Sequence, residues 1–134
     1  MNKTLLIVLL IVVGVSLAAW AFSRNSDEEF TTVDVDEFER IIADTAGVQL
    51  LDVRTQQEYD EGHLSGAYII DVNDSTFMEQ VEAQLVKNKT VAVYCRSGRR
   101  SASAARQLVK AGYKVINLDG GILSWQKQGK TVMK

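Results

Sequence analysis

Cysteine and histidine each occur once in this chain of 134 residues, and proline not at all. A single thiol, Cys95, excludes an intrachain disulfide and any metal site built from several cysteines. With His63 as the only imidazole, the sequence also argues against a zinc site, which needs three or four good ligands. Proline makes up about 5% of an average composition, and nothing in the sequence gives a physical reason for its absence. Charge of one sign is not in excess either. Fifteen Lys and Arg face 17 Asp and Glu, for a formal net charge of -2, so bulk charge points to no nucleic-acid partner. There is no internal repeat and no low-complexity tract. What is present is ordinary for a globular protein, 46% hydrophobic and 24% charged residues, at a length suited to one domain and a short appendage.

The appendage is at the amino end. Residues Thr4 to Ser23 carry no charge, and a helix of about 20 residues spans roughly 30 Å, the thickness of a bilayer core. Lys3 precedes this run, whereas Arg24 and then three acids, Asp27, Glu28 and Glu29, follow it. That asymmetry favours an anchor with its amino end inside and the remainder on the periplasmic, extracytoplasmic side. The alternative is a signal peptide cut after Ala21, since Ala19-Trp20-Ala21 forms a small-x-small site, which leaves a soluble periplasmic domain. No cysteine follows the run, so lipid attachment there is excluded. The expected organisation is residues 1–23 as transmembrane anchor or signal peptide, 24–29 as a polar linker, and 30–134 as one domain.

Within 30–134 strand and helix signals alternate. Phe30 to Val33 predicts a strand. Asp34 followed by Glu37 marks a helix start, and Phe38, Ile41 and Ile42 supply the spacing of a buried helix face. Val48 to Val53 predicts a buried strand, Gln56 to Glu61 a short helix leaving at Gly62, and Ala67 to Val72 a third strand. Phe77, Val81 and Leu85 predict a helix over Thr76 to Val86. Thr90 to Tyr94 is a fourth strand. Helical spacing returns from Ser101 to Ala111, a fifth strand runs from Val115 to Leu118, and Ile122 to Gln128 is a last short helix after the turn Asp119-Gly120-Gly121. Such alternation gives an α/β fold, a five-stranded parallel sheet with helices on both faces, preceded by the amino-terminal hydrophobic helix.

The one thiol sits in an unusual place. In YCRSGRRSAS, residues 94–103, three arginines lie within five residues of Cys95: Arg96, Arg99 and Arg100. A buried strand ends at Cys95 and a helix begins about five residues later, which puts the thiol at the sheet edge where open α/β folds bind ligands. Unpaired amides at a helix start, a glycine at Gly98 that permits an anion nest, and the guanidiniums all favour thiolate over thiol. The plain alternative is a small buried hydrophobe at a strand end, but three cations beside an inert thiol would then lack a purpose.

Taken together, LLDVRTQQEYDEGHLSGAYII, VAVYCRSGRRSASAARQLVKAGYKVINLDGG and Trp125 resemble the rhodanese family of sulfurtransferases, nearest to the small exported rhodaneses of the bacterial phage-shock response. Ser65 departs from the family's usual proline, which removes a rigid turn and leaves the chemistry untouched. The resemblance implies a transferase in which a donor such as thiosulfate passes sulfane sulfur to Cys95. The resulting persulfide gives it up to cyanide or a thiol. The loop Arg96, Ser97, Gly98, Arg99, Arg100 and Ser101 would bind substrate and anion. The resemblance places Asp52 and Arg54 beside the loop as supports, with Arg54 gathering anions or pairing with Glu58. No metal or organic cofactor is implied, only the covalent persulfide. The implied partners are small sulfur donors and acceptors, with membrane contact through residues 4–23 if uncleaved, no nucleic acid, and the oligomeric state open.

The same loop bears on other functions. A cysteine phosphatase needs arginine six positions after its cysteine; that position is Ser101, and Arg100 comes one early, so the loop is shorter and suits a sulfur atom rather than a phosphoryl group. Arsenate reduction leaves no separate mark. A non-catalytic binding or regulatory module is the remaining alternative, although such modules often lose the cysteine that this chain keeps. His63, Trp125 and Tyr113 read as structural.

Overall fold

The computed structural model describes residues 30–134; the apolar run at 4–23 and the linker at 24–29 lie outside the described residues. Among the described residues no helix is long and apolar enough to cross a membrane. Five strands, β1 (Phe30–Val33), β2 (Val48–Asp52), β3 (Tyr68–Ile69), β4 (Thr90–Tyr94) and β5 (Val115–Leu118), alternate with five helices. The helices are α1 (Val35–Ile42), α2 (Gln56–Glu61), α3 (Phe77–Gln84), α4 (Arg99–Lys110) and α5 (Gly121–Lys127). All pairings are parallel, in the order β1-β5-β4-β2-β3.

The alternation of side chains along β4 builds two cores. Val91, Val93 and, just beyond the strand, Cys95 point into one, with Phe77 and Val81 of α3, Leu85 at its C-cap, and Ala104, Ala105 and Leu108 of α4. Ala92 and Tyr94 point into the other, with Val35 and Phe38 of α1 and Ile122 and Trp125 of α5. Both faces of the sheet are therefore dry, as parallel sheets require. Local chemistry sets the helix starts: Asp34 accepts from the Glu37 amide, and Thr55 and Glu58 cap α2 reciprocally.

Several boundaries differ from the sequence reading by one to three residues, and the differences in β3 and α4 bear on the site. The strand expected over Ala67 to Val72 is a ladder of only Tyr68–Ile69. The chain then bends, although the amides of Ile70 and Val72 still donate to the carbonyls of Asp52 and Val53. Its apolar residues mark burial rather than strand length. Helix α4 starts at Arg99, two residues before the expected Ser101, because Gly98 takes up the left-handed conformation (φ 102°) as its N-cap. Arg99 and Arg100 thus belong to the first helical turn.

Candidate active site

Cys95 directly follows the last residue of β4, Tyr94, and is only 1% exposed. The chain then folds around the sulfur rather than away from it. The Gly98 amide donates to Sγ at 3.1 Å. Burial raises the Cys95 pKa, but hydrogen bonds from the Ser101 hydroxyl and from the amides of Ser101, Gly98 and Ser97 outweigh it and hold the thiol below its ordinary value. Ser101 is itself fully buried, and its Oγ lies 3.1 Å from the Gly98 carbonyl. One hydroxyl carries one proton, so Ser101 donates either to that carbonyl or to the sulfur, and negative charge on sulfur draws it there. The arginines expected to stabilise the thiolate rank behind these hydrogen bonds.

A second layer fixes the loop. The amide of Ile122 donates to the Cys95 carbonyl (2.9 Å) and that of Leu123 to the Arg96 carbonyl (3.2 Å). With these carbonyls drawn toward α5, the loop amides are left for the sulfur. The approach demands glycine: a Cβ on Gly121 would stand 2.4 Å from the Arg96 oxygen and 2.5 Å from the Cys95 oxygen, and Gly121 has φ +59°. The turn read from Asp119-Gly120-Gly121 is therefore also the clamp of the cysteine loop.

The charged residues divide into two bound pairs and two exposed cations. Asp52 and Arg54 are buried at 0% and 4% exposure. Arg54 grips Asp52 with Nε (2.9 Å) and Nη2 (2.6 Å), and Nη2 also donates to the Gly62 carbonyl at 2.7 Å. Its guanidinium lies over the Tyr94 ring, 5.6 Å from the centroid. Burial and the Asp52 carboxylate push the Tyr94 phenol well above its usual pKa, so this residue next to Cys95 stays neutral, and its oxygen accepts from the Leu64 amide. Glu58 pairs with Arg100 through two bonds, Nη1–Oε1 at 2.7 Å and Nη2–Oε2 at 2.9 Å. Arg54 thus pairs with Asp52 and not with Glu58. Arg96, Ser97 and Arg99 are exposed. His63 stacks on Tyr59 at 3.7 Å and exchanges backbone hydrogen bonds with Met133. Trp125 donates to the Thr131 carbonyl, and Tyr113 is buried.

A cavity of about 270 Å³ lies beside the loop, lined by Arg54, Glu58, Gly62 and Arg96 and by Ile122 and Leu123 of α5. The arrangement can hold a charged sulfur at Cys95, and the cavity reaches the loop at the neighbouring Arg96. Sequence reasoning missed the clamp of Gly121 and the hold of Glu58 on Arg100. The two glycines in a row were the only signal of the first, and the assignment of Glu58 to Arg54 hid the second.

The rhodanese-like domain profile matches residues 34–128. Thiosulfate sulfurtransferase 18 of Arabidopsis thaliana is 37% identical over 115 residues, covering 77% of this chain and 83% of that protein. A sulfurtransferase of Allochromatium vinosum is 32% identical over 102 residues, covering 75% and 92%. Among solved structures, a rhodanese-related protein of Thermoplasma volcanium superposes with a TM-score of 0.66 at 27% identity, covering 77% of this chain and 97% of that one. The fold, the cysteine loop at the end of β4 and these likenesses agree: the chain belongs to the rhodanese-like domain family.

Proposed function

We propose that the protein is a sulfurtransferase that carries sulfane sulfur on Cys95. The Cys95 thiolate attacks the outer sulfur of a donor such as thiosulfate; the Sγ–S bond forms, the donor's S–S bond breaks, and sulfite leaves with its electron pair. The outer sulfur of the persulfide is then attacked by cyanide or a thiolate, which departs with it and returns Cys95 as thiolate. Both forms of the enzyme carry a negative sulfur, and the amides of Ser97, Gly98 and Ser101 serve each of them, as an oxyanion hole serves developing charge. Arg96 and Arg99, exposed at the loop, draw in anionic donors. Asp52 and Arg54 support the floor under Tyr94. Neither a metal nor an organic cofactor enters the cycle.

The observation that carries this reading is the buried Cys95 sulfur in its amide cradle, 3.1 Å from the Gly98 nitrogen, with a lowered pKa. Residues 1–23 support a place outside the cytoplasm, as in the small exported phage-shock rhodaneses, with residues 4–23 as an anchor or removed after Ala21. The test is intact mass. Thiosulfate adds one sulfur, about 32 Da, and cyanide removes it as thiocyanate. Cys95→Ser gains no mass and makes no thiocyanate while keeping its circular dichroism. A wild-type protein that takes sulfur from no donor refutes the activity.

A further inference from the structure

Of the three arginines around Cys95, Arg100 is the one whose charge is already taken. It stands in the first turn of α4, close enough that negative charge on Cys95 raises its pKa, as Glu58 does more strongly and Asp71 less. Both of its terminal nitrogens are engaged by Glu58, and the two side chains are only 27% and 26% exposed. Glu58 is itself held. Its Oε1 lies 3.2 Å from the Thr55 hydroxyl and 3.4 Å from the Thr55 amide, and its own amide donates back to Thr55. The carboxylate is therefore a fixed negative charge beside the cysteine loop, and it lines the adjoining cavity together with Arg96. A donor meets a loop of three cations from which this carboxylate subtracts one.

We propose that Glu58 is a specificity-determining residue that acts through Arg100: by closing both forks of the guanidinium it disfavours multiply charged donors and favours sulfane sulfur that carries one negative charge or none. The inference rests on the sulfurtransferase reading and adds the charge class of the donor. Its logic is that the energy of a donor in the field of Glu58 scales with the donor's own charge. Removing one unit charge about 6 Å from the donor, in the water-like dielectric of about 80 at a solvent-open cavity, tightens a dianion by about tenfold and a monoanion by only about threefold.

Glu58→Gln tests this, because glutamine at the third helical position keeps the capping box of α2 while losing the charge. The two donors are thiosulfate, a dianion, and an aryl thiosulfonate, a monoanion in which an aryl group replaces one oxygen. The expected result is a thiosulfate KM about tenfold lower, a thiosulfonate KM about threefold lower, and a kcat little changed for both. The double variant Glu58→Gln/Arg100→Gln, which removes both charges of the pair, returns the ratio of the two KM values to that of the wild type and keeps the question open to refutation if the single variant folds poorly. Equal KM changes for the two donors, or none, in an active enzyme overturn the role of Glu58 alone. Failure of the wild type to release thiocyanate from either donor overturns the activity and this inference with it.

Discussion

Replacing Gly121 with alanine tests whether the cysteine loop is held from outside. The new Cβ would sit 2.4 Å from one carbonyl oxygen and 2.5 Å from another, so the loop must retreat by about 0.6 Å to reach even 3.0 Å. An alanine at φ +59° carries roughly 1–2 kcal/mol of backbone strain. The retreat weakens the bonds from Ile122 to Cys95 and from Leu123 to Arg96, at about 1 kcal/mol each. The expected loss is about 3–4 kcal/mol, a large share of a small domain's stability. Urea titration followed by circular dichroism reads it as a lower midpoint at unchanged slope. The same displacement turns the loop amides from the sulfur, so the pH profile of iodoacetamide alkylation of Cys95 moves upward. A Gly121→Ala protein within about 0.5 kcal/mol of the wild type, with an unmoved alkylation profile, would show that α5 does not position the loop.

Ser101→Ala removes the hydroxyl that heads the hydrogen bonds to the Cys95 thiolate. The thiol then titrates nearer its ordinary value of about 8.5, and kcat/KM at pH 7 falls about tenfold, the effect of one hydrogen bond to a charged group; a pH–rate profile checks both. Acid stability reads the second pair. The bond from Arg100 lowers the Glu58 pKa to about 2 against a partial opposing effect of burial. A lowered folded-state pKa gives stability that is complete above the unfolded carboxyl value of about 4.3 and is lost as pH falls toward about 2. After solvent screening of a partly exposed pair the loss is on the order of 1–2 kcal/mol. Urea midpoints from pH 6 to pH 2 show it in the wild type and not in Glu58→Gln.

The strands and helices that the sequence announced best are those whose signal is local. β4 and β5 run as expected, Thr90–Tyr94 and Val115–Leu118, because each is a short apolar run closed by polar or turn residues. α2 matches at both ends, since Thr55 and Glu58 form its capping box within four residues. Where pairing partners decide the outcome, the reading drifts. β3 is shortened because its only neighbour, β2, ends at Asp52. The suggested Arg54–Glu58 pair does not form, because Asp52 two residues before Arg54 is buried with it while Arg100, distant in sequence, takes Glu58. The thiol, its glycine and its helix start were visible as one local loop. The balance between amides and arginines was not, because it depends on where buried donors point, and Gly121 depends on contact between segments 26 residues apart in number.

That contact also has an order in time. Cys95 is synthesised before Gly120, Gly121, Ile122 and Leu123, and before Lys130 to Met133, which bind back through Trp125 and His63. A nascent chain that has reached Asp119 already carries Cys95 but lacks the two donors that turn the Cys95 and Arg96 carbonyls aside. Until they emerge, the loop around Cys95 lacks the two bonds that hold it from the side of α5. The contacts that shape the loop around Cys95 are thus completed late in synthesis, by carboxyl-terminal residues rather than by the segment that contains the thiol.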